Sequence, residues 1–168
     1  MKRRPSKVSE TLPIYNPALP PAQKTKLHQS LKRYLGYCFY KTAACMRAKV
    51  DERFAPYGLV APQFGMLILV KEQGPITQME LGTYMAIDKA TMVRMLDIMQ
   101  EKKLITRTQS KTDRRANHLE ITKAGEIMLN KLNEARKVAE EEFLRPLNKT
   151  EREQLAVLIN KLTDASIV

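Results

Sequence analysis

The sequence predicts a mainly α fold carrying one small β-hairpin, and three observations predict it. Apolar residues recur at steps of three and four through four stretches, the period of an amphipathic helix, and cap and Pro/Gly signals mark two more helices. One pair of runs, "LITRTQS" and "ANHLEIT", alternates instead, and the polar "KTDRR" between them marks a charged hairpin tip. Two of the helical stretches are short and lie about three residues apart, the arrangement of a helix-turn-helix. With 168 residues, 43% of them hydrophobic, the chain has material for one domain, or one domain and a tail. Nine Met and no Trp mean that Leu, Ile and Met fill most of the core.

Residues 1–27 hold five of the nine prolines, so an extended or mobile arm is expected there, with order beginning near Lys26. From Leu27 to about Phe54, the residues Leu31, Leu35, Cys38, Phe39, Thr42, Cys45, Met46 and Val50 keep helical spacing, and "APYGLVAP" breaks the helix they predict. A second, buried helix fits "PQFGMLILVKEQ", with Pro62 in its first turn and Gly74-Pro75 ending it. Thr77 opens a third, to about Met85, because Glu80 stands three residues after a hydroxyl cap and can answer it reciprocally. Asp88 caps a fourth, "KATMVRMLDIMQEKK". There Met92, Met95, Leu96 and Met99 share one buried face, read as core and not as a ligand box, while Ala90, Arg94, Asp97 and Glu101 point away. In the hairpin Leu104, Thr106 and Thr108 oppose Ile105 and Arg107, and Leu119 and Ile121 oppose His118 and Glu120. Met128, Leu132, Ala135, Ala139 and Phe143 form one stripe of a long helix that stops near Pro146. Asn148 with Glu151 opens the last helix, whose apolar face is Leu155, Leu158, Ile159 and Leu162.

A net charge of +11 and a pI near 9.7 favour a polyanionic partner, nucleic acid or an anionic membrane surface. The balance is +5 over residues 1–27, +4 over 28–76, +2 over 77–122 and zero over 123–168, so the excess lies ahead of residue 123. The arm has little aromatic or amphipathic content, which disfavours the membrane. No run of 18 apolar residues occurs, and the start is too polar and Pro-rich for a signal-peptide core, so a cytoplasmic protein is expected. On one helix Cys38 and Cys45 would lie roughly 10 Å apart along the axis, too far for a mutual disulfide. With His28 and His118 they are too scattered for a zinc pattern. No nucleophile elbow or glycine-rich phosphate loop is present, so no metal, no cofactor and no enzymatic activity are expected.

The order helix, helix, helix-turn-helix, charged hairpin, long helix, closing helix resembles the winged-helix regulators of the MarR (multiple antibiotic resistance regulator) family. "GLVAPQFGMLILV" looks like that family's stretch between its first two helices, "DKATMVRMLDIMQEKKLI" like its recognition helix and strand, and "DRRANHLEITKAG" like its wing signature. The similarity covers roughly residues 31–163. It implies a winged helix-turn-helix DNA-binding core over residues 61–122, flanked by a first dimerisation helix in 28–60 and C-terminal dimerisation helices in 123–168, with the arm, 1–27, outside. At two positions the chain departs from the family pattern. Lys103 stands where a Gly usually closes the recognition helix in a left-handed turn, so a differently built helix end is expected. Val93 stands where a small hydroxyl residue is frequent, which exchanges a hydrogen bond for contact with a thymine methyl.

A recognition helix enters the major groove with its first turns, which places Lys89, Ala90, Thr91, Val93 and Arg94 at base edges or phosphates. The cap at Thr77, with Gln78, can face a phosphate, since free amides at a helix N-terminus attract anions. The resemblance implies that Arg115 enters a narrow minor groove, that Asp113 holds the tip by ion pairing, and that Arg114 and Lys111 lie near phosphates. Lys2, Arg3 and Arg4 are a second basic group, with a plain solvated tail as the alternative. Small effectors, often phenolic or aromatic acids, are implied by the resemblance alone, with Tyr37, Tyr40 and Phe64 as candidate cleft residues against a core reading. Cys38 and Cys45 are candidate redox thiols, against the commoner reading of a buried helical Cys as a small hydrophobe.

These readings converge on a sequence-specific, double-stranded-DNA-binding transcriptional regulator: a ligand-responsive repressor, homodimeric, with two reading heads about 10 bp apart on a near-palindromic operator. The alternatives are a winged-helix module that binds protein partners without reading DNA, and a thiol-based redox regulator of the same fold.

Overall fold

Helical periodicity governs the chain as expected: six α-helices and a three-stranded antiparallel sheet form among the residues described, 28–109 and 117–166, of a computed structural model. Residues 62–109 and 117–128 fall in one compact unit, and 28–61 with 129–166 in another. The expectations for residues 1–27 lie outside the described residues.

The first unit is the winged helix. Helix α2, Ala61–Gln73, buries Gln63, Met66, Leu67 and Val70, one helical face. Pro75 cannot continue that helix, and a side chain at Gly74 would stand 2.4 Å from the Val70 carbonyl. Two residues of strand follow, β1, Ile76–Thr77, a strand that the hairpin reading did not include. Two residues are too few to display an alternation, which is why the sequence hides it. Helix α3, Gln78–Met85, begins with the expected capping box: the Thr77 hydroxyl accepts from the Glu80 amide at 3.2 Å, and the Glu80 carboxylate accepts from the Thr77 amide at 2.9 Å. Ala86 ends it in the left-handed region at φ 48°.

Helix α4, Lys89–Glu101, is capped by Asp88 and buries Met92, Met95, Leu96 and Met99 as expected, together with Thr91. Its far end corrects the expectation for Lys103. The lysine itself takes the left-handed conformation, at φ 56°. The Lys103 amide donates to the Gln100 carbonyl at 2.8 Å and the Leu104 amide to the Met99 carbonyl at 2.9 Å, the paired bonds of a Schellman ending. Leu104 and Met99, both buried, supply its apolar partners. The ending is therefore the ordinary one, made without the usual glycine.

Strands β2, Ile105–Gln109, and β3, Asn117–Ile121, pair antiparallel with Ile105 opposite Ile121, Arg107 opposite Leu119 and Gln109 opposite Asn117. Strand β1 adds to the other side of β3, Thr77 opposite His118, so the sheet order is β1-β3-β2. The Thr122 hydroxyl accepts from the Gly125 amide at 3.0 Å and donates to the Lys103 carbonyl at 2.6 Å, which ties the start of the next helix to the end of α4. A side chain at Gly125 would meet the Leu104 carbonyl oxygen at 2.1 Å, so only glycine allows this approach. Helix α5, Lys123–Leu144, starts here and continues into the second unit.

In the second unit helix α1 spans Leu35–Phe54, shorter than the stretch from Leu27 expected. A 3-10 turn, Gln29–Leu31, capped by the His28 ring, precedes it, and Tyr34 at φ −100°, ψ 106° is extended. Leu31 and Leu35 are one helical repeat apart, so periodicity alone runs through the break, and no Ser, Thr, Asp or Asn marks the true start. Helix α6, Lys149–Ser166, opens with the expected reciprocal pair, Asn148 with Glu151, at 3.0 and 2.8 Å. Arg152 binds both oxygens of Glu141, and Arg53 pairs with Glu142. Val50, Phe54, Leu132 and Ala139 are buried, yet much of the apolar stripe expected on α1 and α6 is not: Leu35 is 69% exposed and Leu158 58%.

Candidate nucleic-acid interface

The first turn of α4 is organised by its own cap. The Asp88 carboxylate accepts from the Thr91 amide at 3.0 Å, and Arg94 Nη2 donates to the Thr91 hydroxyl oxygen at 3.1 Å. Spacings of three residues put Asp88, Thr91 and Arg94 on one edge of the helix, so a single hydroxyl links the cap to the guanidinium. The Thr91 amide and then its hydroxyl hold the Asp88 carboxyl below its usual range, with the Arg94 charge adding to the effect. Lys89, Ala90 and Arg94 are exposed and Val93 is half-buried.

Thr91 departs from the part expected of it. It is 4% exposed, so its side chain does not reach the surface; it steers Arg94 instead. The Thr77 hydroxyl is also engaged, donating to the Glu80 carboxylate at 2.7 Å. Bonds from the Thr77 hydroxyl and then the Thr77 amide hold the Glu80 carboxyl below its usual range. At this end of α3 the half-buried Gln78 is the polar side chain left toward solvent.

Besides the Thr122 bond at its far end, two polar ties fix α4 within its unit, neither of them expected from the sequence. Arg107 on β2 pairs with Asp97 on α4 at 2.7 Å. Gln63 on α2 donates from Nε2 to the Met95 carbonyl at 3.2 Å. The first pair was legible only as two opposite charges, one on an outer helix face and one in an alternating strand. For the second, a lone polar residue at a core-spaced position was the signal. Arg107 Nε and Nη2 and His118 Nδ1 are buried without a hydrogen-bond partner among the described residues. The expected tip residues, Lys111, Asp113, Arg114 and Arg115, lie outside the described residues, in the segment joining Gln109 to Asn117.

In the second unit Tyr37 and Tyr40 come together, ring centroids 6.3 Å apart and tilted by 47°, with Lys41 Nζ 6.0 Å from the Tyr37 ring. Phe64, half-buried on α2, belongs to the other unit. Both cysteines are free; Cys38 Sγ donates to the Lys32 carbonyl at 3.3 Å, whereas Cys45 is exposed and so is not the buried hydrophobe expected of a helical Cys. No single helix among the described residues is long and apolar enough to cross a membrane.

Residues 59–116 match the model of the MarR family. The fold is similar to that of a probable transcriptional regulator from Pseudomonas aeruginosa, with 26% identity, a TM-score of 0.69, and coverage of 79% of this chain and 98% of that one. It is similar to a cysteine-to-serine mutant of MarR from E. coli complexed with operator DNA, with 21% identity, a TM-score of 0.68, and coverage of 81% and 99%. A MarR family protein from Mycobacterium tuberculosis in complex with p-aminosalicylic acid matches at 20% identity and a TM-score of 0.66, covering 77% and 98%.

Proposed function

We propose that this chain, a winged-helix regulator of the MarR family, binds double-stranded DNA in a sequence-specific way as a homodimer and acts as a repressor released by a small aromatic or phenolic ligand. The observation that carries the reading is Arg94, exposed on the first turns of α4 and aimed by Thr91 and Asp88. A guanidinium held at that end of a helix can pair with guanine O6 and N7 or with a phosphate. Lys89 and Ala90 lie beside it, and Val93 offers an apolar contact to a thymine methyl. At the first turn of α3, Gln78 and the helix amides meet a phosphate, and Thr77 serves by capping. Arg115 enters the minor groove, Asp113 steadies it, and Arg114 with Lys111 grips the backbone.

The dimer is supported by apolar surface that a monomer rarely leaves uncovered: Tyr34, Leu35, Phe39 and Tyr40 at the start of α1, and Leu155, Leu158, Ile159 and Leu162 on α6. For the ligand, the support is the tyrosine pair with its lysine, together with the salicylate-class compound held by the similar M. tuberculosis protein.

Selection of bound duplexes from a random library, with and without aromatic acids, tests the reading. Recovery of one near-palindromic sequence, depleted when the ligand is present, is the expected result. Absence of any enrichment overturns it in favour of a module that binds protein partners.

A further inference from the structure

We propose that Gln63 is a positioning residue for base readout: it fixes the rotation of α4 about its own axis, and so decides which base edges Lys89, Ala90, Val93 and Arg94 meet. This rests on the DNA-binding reading above and adds to it a residue that touches no DNA.

The apolar part of the buried face of α4 is Met92, Met95, Leu96 and Met99. Three of the four are thioethers, unbranched and with three rotatable bonds each, which repack readily around a shifted neighbour. Apolar contact is also non-directional. A helix on such a bed is held down firmly but turned weakly, so its rotation falls to directional bonds. Arg107 supplies one, but to the Asp97 side chain, which is half-exposed and can follow a turn of the helix by changing rotamer. Thr122 ties only the last turn, at the Lys103 carbonyl, whereas Gln63 binds main chain in the middle of α4, at the Met95 carbonyl.

The scale of the effect follows from helix geometry. Near the backbone radius of about 2.3 Å, a rotation of roughly 20° moves the Met95 carbonyl by about 0.8 Å, and a side-chain tip about 5–6 Å from the axis by about 2 Å. Directed along the bond, the first shift takes it from 3.2 Å to about 4.0 Å, beyond hydrogen-bonding range. The second takes a base-contacting group off its partner. The bond thus senses the same rotation that readout cannot tolerate.

Helix stability does not explain the glutamine. The Met95 carbonyl has a helical partner in the amide four residues on, and its second lone pair does not need filling. Gln63 is 2% exposed, at a position where Leu or Met would pack without burying an amide. A buried polar group at such a place gains its role from the single arrangement it allows.

The test uses the full chain, one duplex recovered by selection and a scrambled duplex of equal length. Gln63→Met keeps size and loses the donor. It is expected to retain its circular dichroism, its affinity for the scrambled duplex and its salt dependence, while affinity for the selected duplex falls about tenfold, the effect of one lost base contact. Gln63→His, with a ring N–H in reach, is expected to recover part of that loss. A Gln63→Met variant whose ratio of selected to scrambled affinity equals the wild type's overturns the proposal. Parallel loss on both duplexes does so too, since it marks a stability effect alone. Should Gln63→Met not fold, Gln63→Leu, which also lacks the donor, is read by the same ratio of selected to scrambled affinity, and a wild-type ratio overturns the proposal. If the wild type prefers no duplex, the DNA-binding reading itself is what falls.

Discussion

Replacing Lys103 by glycine should make this protein more stable, although it removes a side chain and adds no contact. Lys103 occupies the left-handed region at φ 56° as the closing residue of α4. That conformation costs an L-residue with a Cβ roughly 1–2 kcal/mol, and glycine nothing. Against this, glycine gives the unfolded chain more freedom to lose, about 0.4–1 kcal/mol. The bonds that define the ending are main-chain ones, from the Lys103 and Leu104 amides, and the Thr122 hydroxyl binds the Lys103 carbonyl, so all survive the change. The net gain is about 0.5–1 kcal/mol, a rise of roughly 1–4 °C in melting temperature for a chain of this size. Urea unfolding of Lys103→Gly and Lys103→Ala separates backbone relief from loss of charge. The alanine variant keeps the strain and should match the wild type. A glycine variant no more stable than the alanine one refutes the reasoning.

Four further outcomes are expected. At Gly125 an alanine Cβ would stand 2.1 Å from the Leu104 carbonyl oxygen, so Gly125→Ala should destabilise by about 1–2 kcal/mol in urea unfolding despite alanine's better helix propensity of about 1 kcal/mol. The carboxyls of Asp88 and Glu80 sit below their usual range in the folded state, so what they contribute is present above their unfolded values and disappears as pH falls through the lower folded ones. Asp88→Asn keeps a good cap without the charge, and its stability deficit in urea titrations should shrink as pH drops from 5 to 3; a constant deficit excludes the linkage. Arg94→Ala and Arg115→Ala should each weaken specific binding by about 1–3 kcal/mol in fluorescence titrations without lowering the melting temperature, and wild-type affinity in both removes their roles. Binding should fall steeply between 50 and 200 mM salt, approximate bounds over which counterion release is readily measured.

Where a local rule carried its own chemistry, the sequence was legible. Thr77 with Glu80, Asp88 ahead of Thr91, and Asn148 with Glu151 each name a helix start, because the capping partner lies three residues away in the chain. The Met face of α4 was legible for the same reason, since one period fixes one side. Illegible features depended on partners far along the chain. Periodicity runs through the break at Tyr34 because nothing local caps α1 there. The left-handed Lys103 is held from the other side of the hairpin by Thr122, a tie no window around residue 103 contains. Thr91 was expected to reach DNA from the first turns of α4, but it lies one helical repeat before Met95 and is buried, bonded to Asp88 and Arg94. In the site, then, the exposed Ala90 and Arg94 followed from period, and the bond by which Thr91 holds Arg94 did not.

Charge separates two tasks that the sequence runs together. Across residues 77–109 and 117–122, five Lys or Arg are matched by five Asp or Glu, so the described part of the reading head carries no net charge. Two of those cations are tied within the fold: Arg107 to Asp97, and Arg94 to the Thr91 hydroxyl. A balanced surface gives little non-specific attraction to a polyanion, since that attraction counts released counterions rather than geometry. The excess sits elsewhere: +5 in residues 1–27, +4 in residues 28–76 and +2 in residues 110–116. On the proposed function, α4 discriminates between sequences while the basic segments outside residues 77–109 and 117–122 supply most of the affinity that is indifferent to sequence. The two contributions then respond to different perturbations: substitution at Arg94 changes the ratio between duplexes, and salt changes the affinity for all of them together.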